Sequence, residues 1–182
     1  HIHTVLSPCA AVEMIPPLII QTAEEKGINL IAITDHNAIA NVPAVIEASF
    51  GTSVHVLPGI ELQTQEEIHS ICLFDDFNHL VSFYHTIEKF FPKIPNNPDF
   101  FGEQFEVDSQ GGFLRREERL LSISATISLK DAWETTEKMN GVLIPAHVDR
   151  KLFGMLYVLG FIPTEIDFPI LETSKHKSFQ DI

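Results

Sequence analysis

Short apolar runs rich in β-branched residues alternate along this chain with helical stretches, and that alternation predicts an α/β domain on a mainly parallel sheet. Residues 14–26 read as the first helix, with Pro16-Pro17 near the start, apolar Leu18, Ile19 and Ala23, and Gly27 just past the end. A strand comes next at 29–34. Two more are expected at 53–62 and 68–74, joined by the polar stretch Gln63-Thr64-Gln65-Glu66-Glu67. Helices are expected at 78–90 and 129–139, the second with Ser128 as N-cap, Asp131 in its first turn and Asn140-Gly141 as its stop. Between them, 92–128 carries Pro-Asn-Asn-Pro and Gly-Gly segments and reads as a loop-rich insertion, not a second domain. A buried strand at 142–148, a short apolar helix at 151–159 ended by Gly160, and a strand at 169–173 complete the pattern.

The 182 residues, 45% of them hydrophobic, suit one domain with a sizeable core. Twenty-five acidic residues against twelve basic ones give a net charge of −13. Such a surface repels nucleic acid and anionic membranes, so a general nucleic-acid binder is not expected. The two cysteines, Cys9 and Cys72, form neither a disulfide framework nor a zinc-finger pair, which fits a reducing, cytoplasmic setting. No apolar run approaches the roughly 18 residues that cross a bilayer, and no signal peptide is readable. The chain starts without Met, and its true N-terminus is expected to lie outside the given sequence.

Candidate ligands gather at the ends of the expected strands. His1-Ile2-His3 opens the chain, and residues two apart on a strand share a face, so two imidazoles would aim at one point. Asp35-His36 comes after Leu-Ile-Ala-Ile-Thr, Glu61 after Val-Leu-Pro-Gly-Ile, and His147 after Val-Leu-Ile-Pro-Ala. In α/β sheets and barrels the active site lies at that end. His69 opens its strand and reaches the same rim only if that strand runs antiparallel. Each residue alone has an ordinary reading: Asp35 as a helix cap, Glu61 as a solvated carboxylate, His69 and His147 as core histidines. Jointly, separate segments would all have to end in a ligand by accident. His55, in mid-strand, and His79 and His85, six apart on a helix and so on different faces, are assigned structural or surface roles.

In this order the segments resemble the PHP family, named for polymerase and histidinol phosphatase. His1-Ile2-His3-Thr4-Val5-Leu6-Ser7 resembles its first motif, Ile33-Thr34-Asp35-His36-Asn37 its second, Pro58-Gly59-Ile60-Glu61 its third, and Ile144-Pro145-Ala146-His147-Val148-Asp149-Arg150 its later histidine motif. The likeness runs from residue 1 to about residue 175. It implies a distorted (β/α)7 barrel whose mouth holds two or three divalent ions (zinc, manganese or iron), and hydrolysis of phosphate esters. By the same resemblance His1 and His3 hold a first metal with Glu61 as bridge, Glu61, His69 and His147 a second, and His36 belongs to a third.

Two positions depart from the pattern. Cys9 stands where many members carry a further His or Asp; a thiolate is a competent zinc ligand, and a lone Cys is equally an ordinary small hydrophobe. The last motif, Ser-Asp-Ala-His, is absent, although the segment from His176 to Ile182 resembles the family's residues just after that aspartate. The expectation is a stretch lost between Lys175 and His176, carrying that aspartate and the final barrel strand, with His176 a metal candidate; otherwise His176 is a tail residue.

Metal ions about 3.5–4 Å apart would acidify a shared water and neutralise phosphoryl charge, and Glu61 has the two oxygens to bridge them. Glu61, Asp35 and Arg150 are the candidate catalytic residues. Arg150 and Lys151 are the basic pair expected to bind phosphate, unless simply solvated. Asp35 and Asp149 would orient imidazoles or shuttle the leaving-group proton. The leading expectation is a phosphatase-like hydrolase acting on a small phosphorylated substrate. A PHP-type nuclease or exonuclease, and a metal-binding regulatory module without catalysis, are the alternatives.

Overall fold

The computed structural model describes residues 1–174. In chain order its elements are α1 (Pro16–Glu25), β1 (Leu30–Ile33), α2 (Val42–Ala48), β2 (His55–Gln63), β3 (His69–Leu73), α3 (Phe77–Ile87), a 3₁₀ turn (Glu88–Phe90), α4 (Pro98–Phe101), β4 (Phe105–Val107), β5 (Phe113–Arg116), α5 (Leu129–Lys138), β6 (Val142–Pro145) and α6 (Met155–Val158). The local signals act as their chemistry requires. Asp76 caps α3 by accepting from the Asn78 N–H, and the Ser128 side chain accepts from the Asp131 N–H while donating to its carboxylate. Along α3, Leu80, Phe83 and Ile87 are fully buried at the spacing of one helical face. The short helix α2 was not expected: its seven residues begin Val-Pro after Asn41, a sequence that reads equally as a turn.

The main sheet has four strands in the order β1-β2-β3-β6. β1 and β2 are parallel, but β3 runs antiparallel to both of its neighbours, so the sheet is mixed instead of mainly parallel. The cause is the short connection 64–68 between β2 and β3, since a parallel crossover needs about a dozen residues.

The described residues do not form the closed (β/α)7 barrel implied by the resemblance. Their sheet is an open arc with one extra residue paired at each end. Ile2 bridges Ile33 in parallel beyond β1, and Glu172 exchanges backbone hydrogen bonds with Pro145 and Val148 beyond β6. Regular pairing at 169–173 is thus reduced to Glu172, in a segment that opens with Pro169, which has no N–H to donate. The two ends nevertheless approach: His1 Nδ1 lies 2.6 Å from Glu172 Oε1. Residue 176, and any lost stretch before it, lie outside the described residues. The helix expected at 151–159 shrinks to α6, because Phe153 adopts a positive φ of 62° just before it.

Segment 92–128 folds into α4 and the β4–β5 hairpin and is pinned to the rest of the chain by Asn41. The buried Asn41 amide donates to Thr4 Oγ1 and to the Phe105 carbonyl and accepts from the Val107 N–H. Among the described residues no helix is long and apolar enough to cross a membrane. Asn41→Ala strands the Val107 N–H and the Phe105 carbonyl, so it should destabilise the fold by about 2–4 kcal/mol. Urea unfolding measures that loss, and limited proteolysis should cut first within 92–128.

Candidate metal centre

Strand parity carries the acid of this site into a buried position. Along β2, Ile60 and Leu62 enter the apolar core, so Glu61 and Gln63 face the other way, into a cavity of about 330 Å³. In the β2–β3 register Gln63 pairs with His69, and paired residues share a face, so the first residue of antiparallel β3 reaches the rim that β1, β2 and β6 reach with their last. The sequence condition on His69 is met. His1 and His3 flank Ile2, which packs against the core, while His36 and His147 lie just beyond β1 and β6.

Five imidazoles surround the Glu61 carboxylate, itself 1% exposed. Oε2 faces His3 Nε2 at 3.1 Å and His36 Nδ1 at 2.9 Å. Oε1 faces His69 Nδ1 at 3.2 Å, His147 Nε2 at 3.4 Å and His1 Nε2 at 3.9 Å. His36 shares an oxygen with His3 and is as close to Glu61 as any of them, while His1 is the farthest.

Proximity here is not hydrogen bonding. Glu61 Oε1, His36 Nδ1, His69 Nε2 and His147 Nδ1 are all buried without a hydrogen-bond partner. Buried polar atoms left in this state are costly unless something else satisfies them. Their chemistry, imidazole nitrogens around one carboxylate, is the donor set that zinc, iron or manganese accepts. The ligand atoms of His1, His3 and Glu61, of His36, Glu61 and His69, and of His3, Cys9 and His36 lie within 4.8 Å of one another in each group. The residues present therefore fit divalent cations.

Cys9 is exposed at the cavity mouth, with Sγ 3.3 Å from His3 Nδ1. Arg150 lines the cavity, whereas Lys151 is exposed and does not. Asp35 does not reach the cavity. It is fully buried behind it, accepting from the Thr4 N–H and hydroxyl and the Ser7 hydroxyl, while the Ser7 oxygen accepts from the His36 N–H. It braces the segment after His3 and touches no imidazole through a hydrogen bond. Asp149 accepts from the Ser174 N–H and hydroxyl. His55 and His85 are exposed, and His79 pairs with Asp75 outside the site.

Two residues of the site escaped the sequence reading. Glu172 accepts from the His147 N–H through Oε2 while Oε1 meets His1. An acid within a run read as a strand was the available signal. Phe153 stacks on His69 with ring centroids 4.4 Å apart and planes 2° from parallel. That contact arises from tertiary structure and leaves no local mark.

The family model for the PHP domain matches residues 1–143. The chain belongs to the PHP domain family. No curated protein matches its sequence. Among solved structures it is similar to the lesion-specific endonuclease PfuEndoQ from Pyrococcus furiosus, with a TM-score of 0.67 at 15% identity over 94% of this chain and 40% of that one. An Endonuclease Q complex with a 27-mer duplex bearing an abasic lesion gives a TM-score of 0.61 at 14% identity, again over 94% and 40%. A protein assigned as a metal-dependent phosphoesterase from Bifidobacterium adolescentis gives 0.59 at 16%, over 94% of this chain and 75% of the other. The PHP chain therefore spans well under half the length of the endonucleases. At these identities the likeness is one of fold.

Charge in the PHP site is set by opposing effects. Burial alone would raise the Glu61 pKa, but the imidazoles of His147, His3, His36 and His69 outweigh it and hold the acid well below the ordinary carboxylate range. Burial lowers the pKa of His69, which favours the neutral form that binds metal. For His3, burial works downward, and the contacts with Cys9 and Glu61 prevail, pushing the pKa up to about 8. A cation must displace that proton. Metal affinity should therefore climb with pH until about 8 and then level off, with proton release seen by calorimetry in buffers of different ionisation enthalpy.

In the metal-free protein, the His1 pKa is raised by Glu172 and Glu61 against burial, and that of Glu172 is lowered by His1 against burial. The His1 contribution to stability is complete below its ordinary 6.5 and fades as pH rises through the raised value; that of Glu172 is complete above 4.5 and fades as pH falls through the lowered one. Urea midpoints of the metal-free wild type and Glu172→Gln should thus differ most between pH 4.5 and 6.5 and converge at alkaline pH.

Proposed function

We propose that the chain is a metal-dependent hydrolase of phosphate esters, with a small phosphorylated molecule as substrate. The observation that carries this reading is the buried Glu61 carboxylate ringed by imidazoles at the floor of an open cavity, in a chain of the PHP family. His1, His3, His36, Glu61, His69 and His147 would hold two or three divalent ions, with the sulfur of Cys9 at the His3–His36 side. Bound there, such ions supply charge neutralisation at phosphoryl oxygens and acidify water for attack.

The chain's own groups do the rest. Glu61 stays ionised at working pH and spans both halves of the cluster through its two oxygens. Arg150, exposed on the cavity wall, offers a fork of donors to a phosphate entering from solvent. Glu172 orients His1 by accepting its Nδ1–H and fixes the backbone of His147. Asp35 acts at a distance from the reacting atoms, as the brace for residues 4–7. The imidazoles add no negative charge, so a cationic site can draw an anion into a chain of net charge −13.

A nuclease reading draws support from the fold of the endonuclease neighbours. Two features rank it second. Net acidity disfavours a long phosphate backbone, and Arg115 and Arg116 of the hairpin are already paired with Glu106 and Glu103.

The test compares manganese- and zinc-loaded protein on a generic phosphomonoester, a generic phosphodiester and a duplex with an abasic site. Monoester turnover should appear with metal and vanish with chelator, and Glu61→Gln should lower it by at least about 100-fold, the upper effect of an outer-shell partner. Duplex cleavage that dominates and falls with salt would reverse the ranking. Fewer than two metals per chain with no turnover on any substrate would leave a non-catalytic module.

A further inference from the structure

Metal-ligating histidines are usually aimed by a hydrogen bond from the ring nitrogen that does not bind metal. His69 lacks one. Its Nδ1 faces Glu61 Oε1 at 3.2 Å, itself a candidate ligand atom, while its buried Nε2 has no partner, so no hydrogen bond from outside the candidate ligand set fixes the rotation of the ring. The ring face is instead covered by Phe153, parallel to within 2° at 4.4 Å. The same residue also holds the main chain, its carbonyl accepting from the His69 N–H at 3.1 Å.

The backbone meets a strain to make this contact. Phe153 sits at φ 62° and His147 at φ 32°, both in the left-handed region that side chains avoid. The next residue is Gly154, where a Cβ would lie 2.3 Å from the Arg150 carbonyl oxygen, so the turn from 147 to 154 closes tightly and no larger residue fits there. Strained backbone that persists in a cavity wall is a recurrent sign of a functional constraint. The turn delivers His147, Arg150 and Phe153 to one cavity, and only the ring of Phe153 lies flat on another ligand.

We propose that Phe153 is a positioning residue that sets the ring plane of His69, by stacking where other metal-site histidines use an outer-shell hydrogen bond. The inference rests on the metal-centre reading of the site. Phe153 fixes ring rotation by shape, and its apolar face offers the imidazole no hydrogen bond. A hydrogen-bonding residue in its place would instead polarise the ring.

The experiment measures metal content, affinity by chelator competition and the visible ligand-field spectrum of the cobalt(II)-loaded protein for wild type, Phe153→Leu and Phe153→Tyr, with cooperative thermal melting as the check on folding. Phe153→Leu should melt cooperatively, bind one metal equivalent about 10- to 100-fold more weakly and show an altered spectrum, and Phe153→Tyr should restore both. In a His69→Gln background Phe153→Leu should cause no further loss, because the two act as a unit. A Phe153→Leu protein with wild-type affinity and spectrum overturns the inference, even if its KM rises, which would make Phe153 a substrate contact. If Phe153→Leu does not fold, the test rests on Phe153→Tyr, where weakened metal binding with an altered spectrum overturns the inference and wild-type affinity and spectrum support it. A wild-type chain that binds no divalent ion overturns the metal reading and this inference together.

Discussion

The structure is organised around one costly arrangement, a carboxylate almost fully buried with imidazoles on every side. Burial of Glu61 without compensation would force its proton on, as desolvation does to any isolated acid. Here the surrounding nitrogens reverse the outcome and keep it ionised. The histidines gather on that charge, and four of the polar atoms in the cluster have no hydrogen-bond partner. Each side of the arrangement makes the other tolerable, and both are satisfied better by cations than by each other. Stability and metal binding therefore meet at the same atoms.

The mixed sheet is what makes the ring possible. With β3 parallel to its neighbours, its first residue would sit at the opposite end of the sheet, and His69 would be a strand length away from Glu61. The short β2–β3 connection turns the strand over and brings His69 to the rim beside Gln63. The arc then curves until residues at its two ends, His1 and Glu172, come within a hydrogen bond. A closed backbone ladder is not needed for the ends to meet. One polar side-chain contact draws them together, and that contact lies at the site.

The clustering of the candidate ligands was legible because strand parity and strand ends are properties of sequence. His1 and His3 flank an apolar residue, and Asp35-His36, Glu61 and His147 each come after an apolar run, so a common rim could be inferred before any contact was known. Direction was legible only as a condition, met once β3 proved antiparallel. The direction of Asp35 was not legible: a carboxylate beside a candidate ligand histidine can point into the cavity or behind it, and Asp35 turns behind, to Thr4 and Ser7. Closure of the barrel was carried over from a resemblance, and the backbone pairing of residues 1–174 does not supply it. Phe153 stayed invisible because its role depends on a positive φ and on a partner 84 residues away.

The brace behind the site links it to the loop-rich segment. Thr4, next to His3 in the chain, donates its hydroxyl to Asp35 and accepts from Asn41, whose other contacts hold Phe105 and Val107 of the β4–β5 hairpin. The Phe105 N–H donates to the Val5 carbonyl, and the Asn37 amide donates to the carbonyls of Leu121 and Ile123. Residues 92–128 are thereby fastened on both sides of the pair His3 and His36. Buried polar networks of this kind lose more than one bond when a member is removed, because the remaining groups are left unpartnered in low dielectric. The hairpin therefore belongs to the scaffold of the metal centre. Its anchoring contacts reach the residues next to His3 and His36, Thr4 through Asn41 and Asn37 directly, while Phe113 to Arg116 form its exposed face.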